Sequence, residues 1–449
     1  MRAIYSATRQ KNTNLKGNST MTTNKIVACI LCGIIAMIFI FSPAAYAAHE
    51  LTPHEQLGKA IFFDKQLSLR KNQSCATCHD PAAGWTGPDS DINAHGAAYK
   101  GSVEVRFGDR KPPSAAYAAV NPILFFDKKA GLFIGGNFWD GRATGKKLGN
   151  PAADQVQDPF LNPVEQALPD PACVVYRVCG ANYPYSLASV NPGECDIAWP
   201  MGMDIDKVCE EGGVVSLADE QKTRVDKAFD AIALAIAAFE ASAEVNPYTS
   251  KFDYFIRGMA ELTEEEKKGL DLFNKKGKCA ECHISDGEKP LFTDFTYDNL
   301  GVPLNPENPV YRGKADFIDK GLGGFLEKPE NPKEWRKLAR QNMGKHKVPT
   351  LRNIDKRPDI TFVKAYMHNG YFKTQKGVVH FYNTRDAKPA CSVPFNEAQA
   401  MAADCWPGPE VKDNVNKNEL GNLGLTDEEE DAIVAFMKTL SDGFIPDKK

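Results

Sequence analysis

Leu51-Thr52-Pro53-His54-Glu55-Gln56-Leu57-Gly58-Lys59-Ala60-Ile61-Phe62 leads into Cys75-Ala76-Thr77-Cys78-His79. Leu262-Thr263-Glu264-Glu265-Glu266-Lys267-Lys268-Gly269-Leu270-Asp271-Leu272-Phe273 leads in the same way into Cys279-Ala280-Glu281-Cys282-His283. In each copy a Thr is followed three residues later by Glu, the signature of a capping box. Gly and Phe then recur at matching places, and the spacing predicts a short amphipathic helix running toward Cys-x-x-Cys-His. A unit that appears twice at a constant offset predicts two similar structural units in tandem.

Cys-x-x-Cys-His places two thiols where they can form thioethers with the vinyl groups of a haem, and the adjoining His falls under the iron as proximal ligand. Zinc ligation and a thioredoxin-like redox pair are the alternatives for Cys-x-x-Cys. The adjoining His and the duplication count against both. The expected cofactors are therefore two covalently bound haem c groups. One is on Cys75, Cys78 and His79, the other on Cys279, Cys282 and His283.

The rest of the chain fits an exported protein. Lys25 opens an apolar run from Ile26 to Phe41, followed by Ala45-Tyr46-Ala47, which reads as a signal peptide over 1–47 cleaved near Ala47. An uncleaved membrane anchor is the alternative, though the run is short for a span. A periplasmic location follows. Twelve cysteines suit an oxidising compartment. Two leave with the leader and four sit in the haem motifs. Cys391 and Cys405 share one loop and pair with each other. Cys173, Cys179, Cys195 and Cys209 lie in an insertion over 170–212 and allow three connectivities. A formal net charge of −4 on 449 residues carries no basic signature for nucleic acid.

Other helices are legible. Val225 to Ala243 is Ala-rich and apolar on most faces, as a core helix would be, and Thr426 with Glu429 opens another capped helix through Leu440. Between them lie long segments rich in Gly, Pro and Asn, with no sustained alternation for a large sheet. The expected fold is mainly α: two tandem cytochrome c-like domains with long loops, each holding one haem. The N-terminal domain is placed at 48–250 and the C-terminal one at 251–449.

Four further motifs stand around the two Cys-x-x-Cys-His sites in a fixed order. They are Phe138-Trp139-Asp140-Gly141-Arg142, Asn162-Pro163-Val164-Glu165, Val348-Pro349-Thr350-Leu351-Arg352-Asn353-Ile354 and Tyr366-Met367-His368-Asn369-Gly370. As a set they resemble the bacterial di-haem cytochrome c peroxidase family, which includes MauG, over nearly the whole mature chain. The resemblance implies that the N-terminal haem reacts with hydrogen peroxide and the C-terminal haem handles electrons. It places the distal acid on Glu165, which would take a proton from peroxide and return it to the leaving oxygen; the alternative is a surface Glu. Gln155, ten positions upstream, falls on a residue of the same pocket, and Pro159 matches a distal Pro. Arg142 is expected beside the site, bonding a haem propionate or a carboxylate. Trp139 matches the indole lying between the two haems, where it can relay a hole or simply fill the interface.

The sixth ligand of the C-terminal haem divides the family. Peroxidases carry Met fourteen residues after the His of His-x-Gly, whereas MauG carries Tyr. Counting from His368 reaches Tyr382. Met367 and Met343 are the alternatives. For the N-terminal haem, His95 lies sixteen residues past His79 and is the candidate removable ligand; otherwise it is a surface loop residue. The family's calcium ligand, an Asn before a Pro-Ser/Thr turn, is replaced here by Lys111. The accompanying carbonyls would be those of Val363 and Ala365, so calcium is doubtful.

Three functions are thus in view. One is a periplasmic peroxidase drawing electrons from a small cytochrome c or cupredoxin. The second is a MauG-like enzyme that uses the oxidising equivalents of peroxide on a Trp or Tyr of a partner protein. The third is a non-enzymatic di-haem electron carrier, against which Glu165 and Gln155 argue. A dimer is the oligomer in view, and no nucleic acid is expected.

Overall fold

The repeated Thr-x-x-Glu sequences open helices as their side chains dictate. In the computed structural model, which describes residues 50–446, Thr52 caps α1 (Pro53–Phe63), with Glu55 reaching back to the Thr52 amide at 2.6 Å. The expected leader over 1–47 lies outside the described residues. Helices of ten residues or more continue with α2 (Pro151–Leu161), α3 (Pro171–Gly180), α4 (Asp219–Ala241), α5 (Glu264–Asn274), α6 (Gln375–Thr384) and α7 (Asp427–Lys438). Thr263 and Thr426 cap α5 and α7 with the same reciprocal bonds to Glu266 and Glu429. Each such cap satisfies two otherwise orphaned amides and is worth about 1 kcal/mol.

The duplication extends from the helix starts into the packing. Gly58 brings α1 against α4 so closely that a Cβ there would overlap the Ala235 carbonyl oxygen. Gly269 brings α5 against α7 in the same way, facing the Ala432 carbonyl oxygen. One turn beyond each glycine's contact an aromatic trio closes the core. Phe62 meets Phe239 at 5.5 Å and Trp85 at 5.8 Å; Phe273 meets Phe436 at 5.2 Å and Phe292 at 6.2 Å. Each buried ring contributes about 1.5–3 kcal/mol of apolar transfer. Trp85 and Phe292 both adopt positive φ, 61° and 54°, at the end of the loop that follows each Cys-x-x-Cys-His. A hydroxyl holds each loop in place. Ser114 Oγ donates to the Gly84 carbonyl at 2.9 Å and Thr350 Oγ1 to the Leu291 carbonyl at 2.6 Å.

The fold is mainly helical, with two short antiparallel pairs among the described residues. β1 (Phe125–Asp127) pairs with β2 (Leu132–Ile134), and β3 (Tyr297–Asp298) pairs with β4 (His346–Lys347). One large hydrophobic cluster draws on residues between Leu57 and Val245, and another on residues between Phe252 and Leu440. A third joins Leu124 and Phe133 to Tyr297, Leu322 and Phe325, so packing also crosses position 250. A buried ion pair fixes the Pro-Thr-Leu-Arg-Asn motif. Arg352 Nη1 and Nη2 donate to Asp253 at 3.0 and 2.5 Å, and Nε donates to the Pro290 carbonyl at 2.9 Å.

Three disulfides form. Cys391 pairs with Cys405, as the shared loop suggested. Within the insertion the pairs are Cys173–Cys209 and Cys179–Cys195, one of the three open connectivities. The first ties α3 to the short helix Ile205–Glu210. Arg177 of α3 then binds Asp206 at 2.8 Å and the Gln66 and Ser68 carbonyls at 2.7 Å. The insertion is thereby fastened to the segment just ahead of the first haem motif.

Candidate functional site

Both Cys-x-x-Cys-His motifs line one continuous internal cavity. Each begins as a single tight turn. The second Cys amide and the His amide both donate to the first Cys carbonyl, at 3.1 and 3.0 Å in the first motif and 3.3 and 2.8 Å in the second. Cys75, Cys78, Cys279 and Cys282 remain free thiols, whereas the other six cysteines of the described residues are paired. Burial pushes the Cys78 and Cys279 thiols up to about 12, the opposite of the thiolate that a thioredoxin-like pair requires. His79 Nδ1 bonds the Trp85 carbonyl at 3.2 Å, and His283 Nδ1 bonds the Phe292 carbonyl at 2.8 Å. A carbonyl only accepts, so each Nδ1 carries the proton and each Nε2 keeps a lone pair for a metal. Burial holds both imidazoles below their usual range, His79 at about 4, which keeps those lone pairs free. Lys347 lines the same cavity with a buried ammonium that has no hydrogen-bond partner, and burial lowers it to about 7. An apolar-walled cavity with two neutral imidazoles, four free thiols and an unpartnered cation fits haem, whose propionates are anionic.

On the N-terminal side, α2 and the turn after it present the expected acid. Gln155 and Pro159 lie four apart on α2 and both line the cavity. Asn162 then does two things. Its Oδ1 accepts the Val164 amide at 3.2 Å, turning the chain, and its Nδ2 donates to Glu165 Oε1 at 2.7 Å. Glu165 is directed into the cavity. Burial, with the Asp158 charge, raises its carboxyl to about 7, against Arg142 and the Asn162 hydrogen bond, which lower it. A carboxyl poised near neutrality can both take and return a proton. Arg142 lines the cavity too, paired with Asp140 at 3.2 Å and Asp158 at 3.1 Å and stacked 3.5 Å from the Phe138 ring centroid.

Trp139 is buried in the cavity wall. Its indole Nε1 donates to the Lys111 carbonyl at 2.8 Å, and its own carbonyl accepts the Lys347 amide at 2.8 Å. Lys111 in turn donates its amide to the His368 carbonyl at 2.7 Å. Arg110 Nε and Nη2 bind Asp319, both at 2.6 Å, and Nη1 binds Asp140 at 2.7 Å.

On the C-terminal side, Tyr382 of α6 lines the cavity near Cys279 and Cys282. Burial, with those two thiols, pushes its phenol well up. Met367 also lines the cavity, whereas Met343 packs against the cluster of Phe133 and Leu322. Of the two places the sequence left open for His95, the structure shows the surface loop. Its side chain is 64% exposed, with Nδ1 bonded to the Asp91 carbonyl at 2.8 Å, and it does not line the cavity. The reason lies in the next residues. Gly96 is wedged against Glu307 and Pro309, and Ala97 and Ala98 are buried, so the chain presents Tyr99 to the cavity instead.

Asn162, Lys347, Tyr99 and the buried Glu240 line the cavity too, and motif reading gave none of them a role. Asn162 was visible as part of Asn-Pro-x-Glu, but its bond to Glu165 needed the turn. Glu240, held at about 8 by burial, ends an Ala-rich core stretch where no pattern marks it.

Comparison with known proteins agrees with this geometry. Residues 52–261 match the family model described as di-haem cytochrome c peroxidase. The methylamine utilization protein MauG of Paracoccus denitrificans is 34% identical over 420 residues, covering 91% of this chain and 94% of that one. The cytochrome c551 peroxidase of Nitrosomonas europaea is 25% identical over 348 residues, 75% of each chain. Among solved structures, the diheme peroxidase BthA of Burkholderia thailandensis superposes with a TM-score of 0.65 at 28% identity, covering 88% of this chain and 87% of that one. With its two Cys-x-x-Cys-His motifs on one cavity and a MauG relative matching almost end to end, the chain is a haem-dependent oxidoreductase of the di-haem cytochrome c peroxidase and MauG family.

Proposed function

We propose that the chain activates hydrogen peroxide at a haem bound by Cys75, Cys78 and His79, with Glu165 as the acid/base group. A second haem, bound by Cys279, Cys282 and His283, would feed electrons to the first. The observation that carries this reading is Glu165, poised near pH 7 in the wall of the cavity that the first motif lines. A haem bound there supplies the iron at which the O–O bond of peroxide is cleaved. The Glu165 carboxylate takes the peroxide proton and hands it to the departing oxygen, which leaves as water. Asn162 keeps one carboxylate oxygen engaged, and the Gln155 side chain, lining the same cavity, would offer an amide hydrogen bond to bound peroxide. His79 holds its proton on the Trp85 carbonyl and keeps Nε2 for the metal. Trp139, in the wall of the cavity that both motifs line, is the proposed relay for a hole between the haems. The two electrons and two protons that complete reduction to water come from a small reduced cytochrome c or cupredoxin and from solvent. The periplasm, reached through the leader at 1–47, is the proposed compartment, and 48–250 and 251–449 are the proposed haem domains.

Two observations favour a MauG-like variant of this reading. Tyr382, and not a Met, stands at the matching position in the cavity wall, and His95 lies outside the cavity. A tyrosinate donor favours oxidised iron. In this variant the oxidising equivalents go to a Trp or Tyr of a partner protein, as the 34% identity to MauG also suggests. Calcium has no part in either reading. The Lys111 ammonium donates to Thr86 Oγ1 at 3.0 Å and to the Pro112 carbonyl at 2.9 Å, and the Val363 carbonyl accepts from Asn93 at 3.1 Å.

Peroxide added to the purified diferric protein tests the proposal. Absorption changes of the haems within one turnover support peroxide activation, and spectra unmoved by peroxide at any reduction level overturn it. Reaction without prior half-reduction selects the MauG-like variant, and a requirement for half-reduction selects the classical peroxidase.

A further inference from the structure

Lining the same cavity beside Trp139 is a cluster of metal-ligating side chains that the peroxide chemistry proposed above does not use. His346 ends its turn on β4, and His368 sits in the Met-His-Asn-Gly loop. Their rings stack at 3.5 Å between centroids and 9° between planes. Both Nε2 atoms are buried without a hydrogen bond. Two carboxylates face them. His346 Nε2 is 3.3 Å from Asp319 Oδ1, and His368 Nε2 is 3.7 Å from Glu410 Oε2 and 4.0 Å from Asp319 Oδ2. All four side chains are nearly inaccessible, with 11, 6, 4 and 4% exposure for His346, His368, Asp319 and Glu410.

The hydrogen bonds say what is missing. His346 Nδ1 bonds the Gly344 carbonyl at 3.1 Å, so Nδ1 bears the proton, and the neutral ring turns a lone pair toward the Asp319 carboxylate. Two acceptors in contact repel unless a proton or a metal cation stands between them. Arg110 compensates the Asp319 charge by donating to both of its oxygens, but neither Nε2 has a hydrogen-bond partner. Glu410 is engaged through Oε1 only, by the Tyr311 hydroxyl at 3.1 Å and the Asp319 amide at 2.8 Å, which leaves Oε2 toward His368. A haem propionate in the same cavity has Lys347 as its unpartnered cation, whereas here it would meet the Glu410 carboxylate and two neutral imidazoles.

We propose that His346, His368, Asp319 and Glu410 form a binding site for one divalent transition-metal ion of the zinc class. Nitrogen and oxygen ligands around such an ion sit about 2.0–2.2 Å from it, hence about 3.3 Å from one another in a tetrahedron. The His346–Asp319 spacing already meets that value, whereas the His368–Glu410 spacing of 3.7 Å and the His368–Asp319 spacing of 4.0 Å exceed it. Closing them requires the stacked rings to tilt so that their lone pairs converge. Two imidazoles with two carboxylates select zinc, copper or nickel over calcium, which takes oxygen ligands. The Nδ1–carbonyl bond of His346 is the outer contact that orients a metal-bound imidazole. The site shares its backbone with Trp139, since Lys347, next to His346, donates its amide to the Trp139 carbonyl.

The test uses the haem-loaded enzyme, dialysed against a chelator and titrated with Zn2+ by calorimetry, with elemental analysis of the product. The expected result is one zinc per chain beside two irons. His346→Gln and Glu410→Gln each weaken binding about a hundredfold or more, with the haem absorption spectrum unchanged as the control for folding. Wild-type enzyme that binds no zinc above the level of both variants overturns the site and identifies His346–Asp319 as a simple ion pair. Should the variants misfold, X-ray absorption at the zinc edge of the wild type decides. Imidazole scattering supports the site, and a shell of oxygen alone refutes it. Neither result depends on peroxide turnover, so the proposal stands or falls apart from the acid/base reading of Glu165.

Discussion

Replacing Glu165 by Gln removes one ionisable oxygen and nothing of the shape, so it isolates the proton from the packing. The carboxyl sits at about 7 because burial and Asp158 disfavour its charge more than Arg142 and Asn162 favour it. Moving a carboxyl from 4.5 to about 7 corresponds to at most about 3 kcal/mol held against the ionised form in the folded state. Two consequences follow with opposite signs. In catalysis the ionised form is the base, so wild-type kcat/KM should climb about tenfold per pH unit up to about 7 and level off above it. Glu165→Gln should fall about 10²- to 10⁴-fold and lose that pH dependence. In stability the native state binds the proton more tightly than the unfolded chain, so stability is lost as pH rises from 4.5 through 7. The Gln variant escapes that loss. It should match wild type near pH 4 and exceed it by up to about 3 kcal/mol at pH 8 in denaturant titrations. The assay is steady-state peroxide consumption with a reduced small redox protein between pH 5 and 8.5, paired with unfolding at the two pH extremes. Turnover by Glu165→Gln within a few-fold of wild type, with both haems bound, would refute the acid/base role. A wild-type profile flat across pH 5 to 8 would refute the physical account of its poise.

Other expectations rest on single contacts. Tyr382→Phe should change the low-spin haem signal in electron paramagnetic resonance, and an unaltered spectrum would transfer ligation to Met367, the remaining candidate in the cavity wall. His95→Ala should leave the ferric haem absorption spectrum as it is, because that side chain faces solvent; a shift would restore His95 as a ligand. Arg352→Met strands Asp253 in the core and should cost about 3–5 kcal/mol in chemical denaturation, against less than about 1 kcal/mol if the pair were solvated. Gly58→Ala and Gly269→Ala each drive a methyl into a facing carbonyl and should cost about 1–3 kcal/mol or more apiece. Similar costs at the two sites would be the thermodynamic signature of the duplication.

Much of this protein is written locally. A Thr caps a helix because its own hydroxyl reaches an amide three residues on, so Thr52, Thr263 and Thr426 announced three helices without help from the rest of the chain. Two thiols and an imidazole within five residues meet on a single turn, so Cys75 to His79 and Cys279 to His283 were legible as two copies of one candidate haem-binding unit. The repetition of whole units carried the mainly helical fold with them. What the sequence left open depends on where distant segments meet. His95 had the right spacing from His79, yet the close fit of Gly96 against Glu307 and Pro309 turns Tyr99 inward in its place. Among the candidate ligands, Met343 is taken up by a cluster that joins Leu322 and Phe325 to the distant Leu124 and Phe133, while Tyr382 reaches the cavity. The disulfide partners, the pKa of Glu165 and the meeting of His346 with His368, Asp319 and Glu410 arise in the same way. Local chemistry is set by neighbours along the chain. Burial, charge and the company a side chain keeps are set by neighbours in space, and only the tertiary structure decides those.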